Sequence, residues 1–454
     1  MSRIGLIGRN SIEYVNTLLD IWNAGDCAVL IDPCLPYSKQ QDLLRLASAT
    51  KCYYDIESAN FSQIDNEIAY IPYKSDSEIE IPGKIYAKFQ NRYSHDEAVI
   101  LFSSGTTGDS KGVIMSHFAI NTNADSIIEY MNLHSNDCFC VIKQLNHSST
   151  LVGELVVALK TQTRMLIPQT LFPKYIFTII NRFKVSIICL NPTLLHLFTQ
   201  YQCKMLKDIS SLRIIYVSGS ILTDSMYKKA HETFKTVQIF NVYGQTETGP
   251  RITAQTYEHS KSNSVGQPIH NVRIKIVLEN GREAPQYCRG LVYVSTPSLY
   301  SGYISDFNKK RSIKNGWHNT GDIGFIDSND ELHIVGRNDD LLTINSTNVY
   351  PSDIENILLS INGINQCVVV KSEQDGYDFL VCLYTGEDID TTNTIRLLNE
   401  QLMPHEIPKK FIRVEELPLT TTGKICRQKA KLIIDNKNYL EKCNESGNNF
   451  AKDR

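Results

Sequence analysis

No uncharged apolar run in this chain of 454 residues approaches the roughly 18 that a membrane-spanning helix needs. Its opening, MSRIGLIGRN, lacks the apolar core of a secretory signal and reads as a strand. Clustered basic residues are also missing. With 46 Lys and Arg against 49 Asp and Glu, the net charge is −3 and both signs are mixed throughout. That excludes the electrostatic footprint of a nucleic-acid binder or of a polybasic membrane-surface protein. Twelve cysteines occur without paired spacing. Cys138 and Cys140 stand close together with no second Cys/His pair, so zinc is not indicated; the cysteines read as small buried hydrophobes in a reducing cytosol. Internal repeats and low-complexity tracts are absent. A cytoplasmic location follows as the expectation.

What is present is a globular composition, 42% hydrophobic and 21% charged, in a chain long enough for two or three domains. Arg3–Ile7 reads as a strand. Ile12, Val15, Leu18, Leu19 and Trp22 then mark one face of a helix, with Asn10 and Glu13 as a capping-box-like start and Gly25 as the stop. Cys27–Ile31 is the next strand. The alternation returns at Leu212–Val217, a helix near Asp224–Phe234 and a strand at Val237–Val242, which predicts mostly parallel sheets covered by helices. From about residue 260 to 336, short alternating segments such as Val272–Val277 and Gly290–Ser295 predict antiparallel strands or a small β-barrel. Beyond a charged junction at 336–341, a helix over Pro351–Ile361 and a strand over Cys367–Lys371 predict a small α+β domain. The expected fold is therefore α/β. Residues 1–336 form a large domain, 337–435 a smaller one, and 436–454 a polar, frayed tail.

The most informative segment is Leu101–His117, LFSSGTTGDSKGVIMSH. An apolar strand, Glu97–Phe102, runs into Ser103, Ser104, Gly105, Thr106, Thr107, Gly108 and Lys111. Glycines let backbone N–H groups approach a polyanion, while hydroxyls and a lysine add donors and charge. Lys111 is followed by Gly112, not Ser or Thr, so this is no Walker A loop. An ordinary Gly/Ser/Thr turn is the bland alternative, and the length of the string, ten residues over 103–112, argues against it.

The string SSGTTGDSKG resembles the signature loop of the adenylate-forming superfamily: acyl-CoA synthetases, aryl-CoA ligases, luciferases and peptide-synthetase adenylation domains. Four further segments resemble the same family in order and spacing: Asn241–Glu247 (NVYGQTE), Trp317–Asp322 (WHNTGD), Gly336–Asp340 continuing to Asn348–Pro351, and Pro418–Ile425 with Gly423-Lys424. The five cover nearly the whole chain. The resemblance implies ATP and Mg²⁺ as cofactors, with CoA or a phosphopantetheinyl carrier protein as acceptor. The loop 103–111 would hold the β- and γ-phosphates. Thr246 would contact the α-phosphate and Glu247 would hold Mg²⁺, a hard cation that prefers oxygen. Tyr243 and Gly244 would border adenine, Asp322 would accept from the ribose hydroxyls, and Arg337 would assist. Asp339 would be the hinge on which the small domain turns. Lys424 would bring positive charge to the carboxylate and α-phosphate during adenylation.

His147, in QLNHSST, aligns with a histidine beside the carboxylate pocket of acyl- and aryl-CoA ligases. Amino-acid-activating relatives place an aspartate there, so the resemblance favours an acid without an α-amino group. A capping or core histidine is the alternative. Pocket walls are expected within 145–153, 190–196 and 216–222. Three departures from the pattern stand out. The chain starts several dozen residues later than the family does, which reads as a shortened form or a misplaced start codon. Ser110 replaces the loop proline. Asn345-Ser346 replaces the hinge-motif glycine that lines the thiol tunnel. The expected activity is acid–thiol ligation through an acyl-adenylate. Adenylation without thioester formation, and a silent ATP- or acyl-binding relative, are the competing readings.

Overall fold

The computed structural model describes residues 1–58, 68–75, 78–104, 110–256, 264–304, 313–344, 347–374, 377–419 and 425–435. The chain divides into two compact units, Met1–Ile334 and Val335–Arg454.

The first unit is built on two seven-stranded sheets. In one, Arg3–Ile7 pairs in parallel with Cys27–Ile31 and with Lys51–Asp55, and Cys27–Ile31 pairs in parallel with Glu97–Ser104. That last strand pairs antiparallel with Ser110–Ser116. In the other sheet, Ile187–Leu190, Ile214–Val217 and Gln238–Tyr243 lie side by side in parallel. These strands are apolar on both faces because both faces are covered, as parallel sheets require. The largest core lies between the sheets. It takes Leu6, Leu30 and Val99 from one, Ile187, Ile214 and Phe240 from the other, and Ile120, Ile127, Leu155 and Val156 from intervening helices. A second core, with Ile180, Leu195 and Phe234, covers the outer face of the second sheet.

The helix expected after the first strand spans Ile12–Asn23, and Gly25 follows at φ +80°, the left-handed stop that glycine supplies. Its cap differs from the expectation. Ser11, not Asn10, accepts from the Tyr14 N–H, and the Asn10 side chain instead reaches across the fold to Lys143 and Leu145. The strands expected at Leu212–Val217 and Val237–Val242 are Ile214–Val217 and Gln238–Tyr243.

Past residue 260 the antiparallel expectation holds. Arg273–Val277, Gly290–Ser295, Trp317–Ile326 and Ile313–Lys314 form a sheet, joined by Leu332–Arg337, whose described pairings trace an open path. In the second unit the helix is Pro351–Leu358, so Ile361 lies past its end, partly buried against the same core. A strand over Ile364–Gln374 pairs with Tyr377–Gly386, and the Arg427 guanidinium binds the Glu355 carboxylate at 2.5 Å. Among the described residues no helix is long and apolar enough to cross a membrane. Cys138 and Cys140 are buried with free thiols, consistent with a packing role.

Candidate active site

The segment 241–251 leaves the second sheet at Tyr243 and makes a short 3₁₀ turn over Thr246–Thr248. Gly244 is needed there because a Cβ would lie 2.3 Å from the Pro250 carbonyl oxygen, a backbone atom that cannot yield. Gln245 closes the turn by accepting from Thr248, so Thr246 and Glu247 are held on a fixed scaffold. The Thr246 hydroxyl lies 3.1 Å from that of Ser148. Glu247 Oε1 accepts from the Tyr303 hydroxyl at 3.0 Å, and its backbone carbonyl accepts from the Tyr300 N–H. Burial and the Glu247 carboxylate together push the Tyr303 phenol up, so it stays a donor. Lys111 Nζ stands 5.9 Å from the Tyr303 ring. Lys111 and Glu247, 136 positions apart in the sequence, therefore flank one tyrosine.

Asp322 sits on a bulge. Between the pairs Leu291–Ile323 and Tyr293–Asn319, the three residues Thr320–Asp322 face only Val292. Gly321 takes φ +71°, which the bulge requires. The kink aims the Asp322 carboxylate at the turn just described: Oδ2 accepts from Gln245 Nε2 at 2.7 Å and from the Tyr243 hydroxyl. Tyr243, Gln245, Thr246, Glu247 and Asp322 thus form one continuous polar surface. Glu247 offers a half-exposed carboxylate and Asp322 a carboxylate fixed by two donors, a donor set that fits Mg²⁺ and a ribose respectively.

His147 heads the helical segment that begins at Ser148 and widens to a π-helical stretch over Leu151–Val156. Its carbonyl accepts from the Thr150 and Leu151 N–H groups and the residue is half-buried. Its neighbour Ser148 contacts Thr246, which brings the QLNHSST segment to the polar surface. Arg337 ends the strand Leu332–Arg337 and Asp339 lies in the exposed turn Asn338–Asp340, both in the second unit. Gly105, Thr106, Thr107, Gly108 and Lys424, with Asn345 and Ser346, lie outside the described residues. Ser103 and Ser104 are at the end of their strand.

Contacts that the sequence did not reveal are those of Gln245, Ser148, Tyr303 and Lys143. Gln245 stands inside a motif and could have been singled out. Tyr303 had no local signal, since its partner is 56 positions away.

A two-unit architecture with this α/β body is the fold of adenylate-forming enzymes. The chain overlays the Bacillus subtilis o-succinylbenzoate CoA synthetase in complex with ATP and magnesium ion with a TM-score of 0.82, covering 95% of this chain and 89% of that one at 22% identity. Residues 1–304 match the family model of AMP-binding enzymes, and 353–424 match that of the AMP-binding enzyme C-terminal domain. The chain belongs to the AMP-binding enzyme family. Among curated relatives it is 25% identical to the 2-succinylbenzoate–CoA ligase of Bacillus mycoides, over 95% of this chain and 89% of that one. It is 25% identical to the indoleacetate–CoA ligase of Aromatoleum aromaticum, over 76% and 68%. Acid–thiol ligase, the class expected from the motifs, is the class of both relatives, and ATP with magnesium is bound in the solved one.

Proposed function

We propose that this enzyme activates a carboxylic acid lacking an α-amino group as its acyl-adenylate, releases pyrophosphate, and passes the acyl group to the thiol of CoA or of a phosphopantetheinyl carrier. The observation that carries this reading is the convergence of Lys111, Tyr303, Glu247, Thr246 and Ser148 around the turn that follows the Gln238–Tyr243 strand. Bound ATP with Mg²⁺ supplies the electrophilic phosphorus and a pyrophosphate leaving group. Glu247 would hold the metal, its carboxylate kept in place by Tyr303. Thr246, steadied by Ser148, orients the reacting phosphate, and Asp322 fixes the ribose. His147 borders the acid. Lys111 and Ser103–Gly108 are assigned to the outer phosphates, and Lys424 to adenylation, by the motifs they stand in; Asp339 is assigned the hinge on the same basis. Positioning and charge neutralisation are the main work of such a site.

A panel of fatty and aromatic acids in a pyrophosphate-release assay tests the first step, and hydroxylamine trapping identifies the adenylate. Thioester formation with CoA or a carrier protein tests the second. Hydroxamate without any thioester would restrict the enzyme to adenylation, and no acid-dependent pyrophosphate at all would refute the reading.

A further inference from the structure

The short segment Tyr300–Ile304 touches both halves of the candidate site through its backbone. Its strand Gly302–Tyr303 pairs antiparallel with Val113 and Ile114, on the strand that follows the Gly/Ser/Thr segment in the sequence. The Ile304 N–H donates to the Gly112 carbonyl at 2.9 Å, and the Ser301 N–H to the Ile114 carbonyl at 2.8 Å. At its other end the Tyr300 N–H donates to the Glu247 carbonyl at 2.9 Å. Five residues thus tie the root of Lys111 to the turn that carries Glu247.

Tyr303 repeats that link with its side chain. Its hydroxyl donates to Glu247 Oε1 at 3.0 Å, and among the described residues no second donor reaches the carboxylate, so Oε2 is left for a ligand. Lys111 Nζ stands 5.9 Å from the centroid of the same ring. The Tyr300 ring packs against it, with centroids 4.9 Å apart, which limits the swing of the phenol. A donor to a ligating carboxylate fixes which oxygen is presented to a metal and in what direction. A cation held over an aromatic ring is restrained in a similar way. One side chain therefore sets the positions of both charges.

We infer that Tyr303 is the positioning residue that couples the divalent cation to the triphosphate. It holds the Glu247 carboxylate for the metal and the Lys111 ammonium for the outer phosphates, so that each ligand tightens the binding of the other. This coupling rests on the roles proposed above for Glu247 and Lys111.

Nucleotide binding, not turnover, reads it out. The full chain is titrated calorimetrically with ATP, once in chelator and once in saturating Mg²⁺, and the ratio of the two Kd values is the coupling factor. The association of ATP with Mg²⁺ in solution is common to all variants and drops out of the comparison between proteins. In Tyr303→Phe the ratio should fall by about tenfold. The Kd in chelator should not change, because the ring beside Lys111 remains. Tyr303→Leu should lose the same factor and also weaken ATP in chelator by about a few-fold, since Lys111 loses the ring. In a Glu247→Gln background, adding Tyr303→Phe should alter the ratio no further. Loss of folded material lowers the stoichiometry of binding and leaves the ratio intact.

An unchanged ratio in Y303F, an equal loss in chelator and in Mg²⁺, or full additivity with E247Q overturns the inference. So does a wild type that binds ATP equally well in both conditions. Acid-dependent pyrophosphate release judges the proposed function separately: its absence with every acid refutes that function, while the binding ratio still decides the coupling.

Discussion

Glu154 offers the most quantitative test of this structure. Its side chain has no exposed surface, and desolvation lifts its pKa from 4.5 to about 7 against the opposing pull of Lys143, Arg251 and the neighbouring Cys189 and Thr150 side chains. A carboxyl with a raised folded pKa holds its proton more tightly in the native chain than in the unfolded one. Its contribution to stability is fully present below about pH 4.5 and is lost as pH rises through about 7, after which the loss levels off. At 1.36 kcal/mol per pH unit the complete effect is about 3 kcal/mol, of which about 2 to 3 kcal/mol falls between pH 5 and 8. Glu154→Gln keeps the shape and removes the titration. Its own offset, the difference between an amide and a neutral carboxyl at that site, is the same at both pH values and drops out of the comparison. Both tryptophans, Trp22 and Trp317, lie in the unit that contains Glu154, so urea unfolding followed by tryptophan fluorescence reports on that unit. The wild type should lose about 2 to 3 kcal/mol more than E154Q between pH 5 and 8. Curves for the two proteins that fall in parallel would refute the assignment of a buried, proton-retaining carboxyl.

Other outcomes follow from the same geometry. Glu247→Gln should lower acid-dependent pyrophosphate release by about a hundredfold or more, because a neutral amide replaces the carboxylate aimed at the metal; rescue by excess Mg²⁺ should be partial at best. Lys424→Ala should lower adenylate formation by orders of magnitude while ATP still binds, measured by pyrophosphate exchange alongside nucleotide titration. Gly244→Ala should cost about 1 to 3 kcal/mol, read as a lower Tm, and should depress turnover as well, since the added methyl meets the Pro250 backbone and displaces the Thr246–Glu247 turn.

The chemistry of the candidate site was largely legible before the structure, because each motif is a short local string. NVYGQTE and WHNTGD needed no tertiary information to be singled out, and the structure brings them together at Asp322, Tyr243 and Gln245. Helix and strand positions were legible for a related reason: periods of two and 3.6 residues are written locally, and strand bounds moved by three residues at most, as where Cys367–Lys371 became Ile364–Gln374. Asn10 shows where local reasoning fails. Asn is a good cap, but Ser11 competes for the same N–H, and a long-range pair of hydrogen bonds across 133 and 135 positions takes the Asn10 amide instead. The end of the Pro351 helix moved for another reason. Ile361 carries the right spacing but packs against the same core from beyond the last turn.

By itself the sequence determined the family and the α/β architecture and marked out the motif strings, since these depend on local patterning and on residue types in fixed order. Only the tertiary structure decided which of those residues share a surface, that Tyr303 is the partner of Glu247, and that Lys143 and Arg251 crowd one buried carboxyl. Those facts turn on contacts between segments far apart in the chain, where burial sets the strength of every charge and no local pattern records the neighbour.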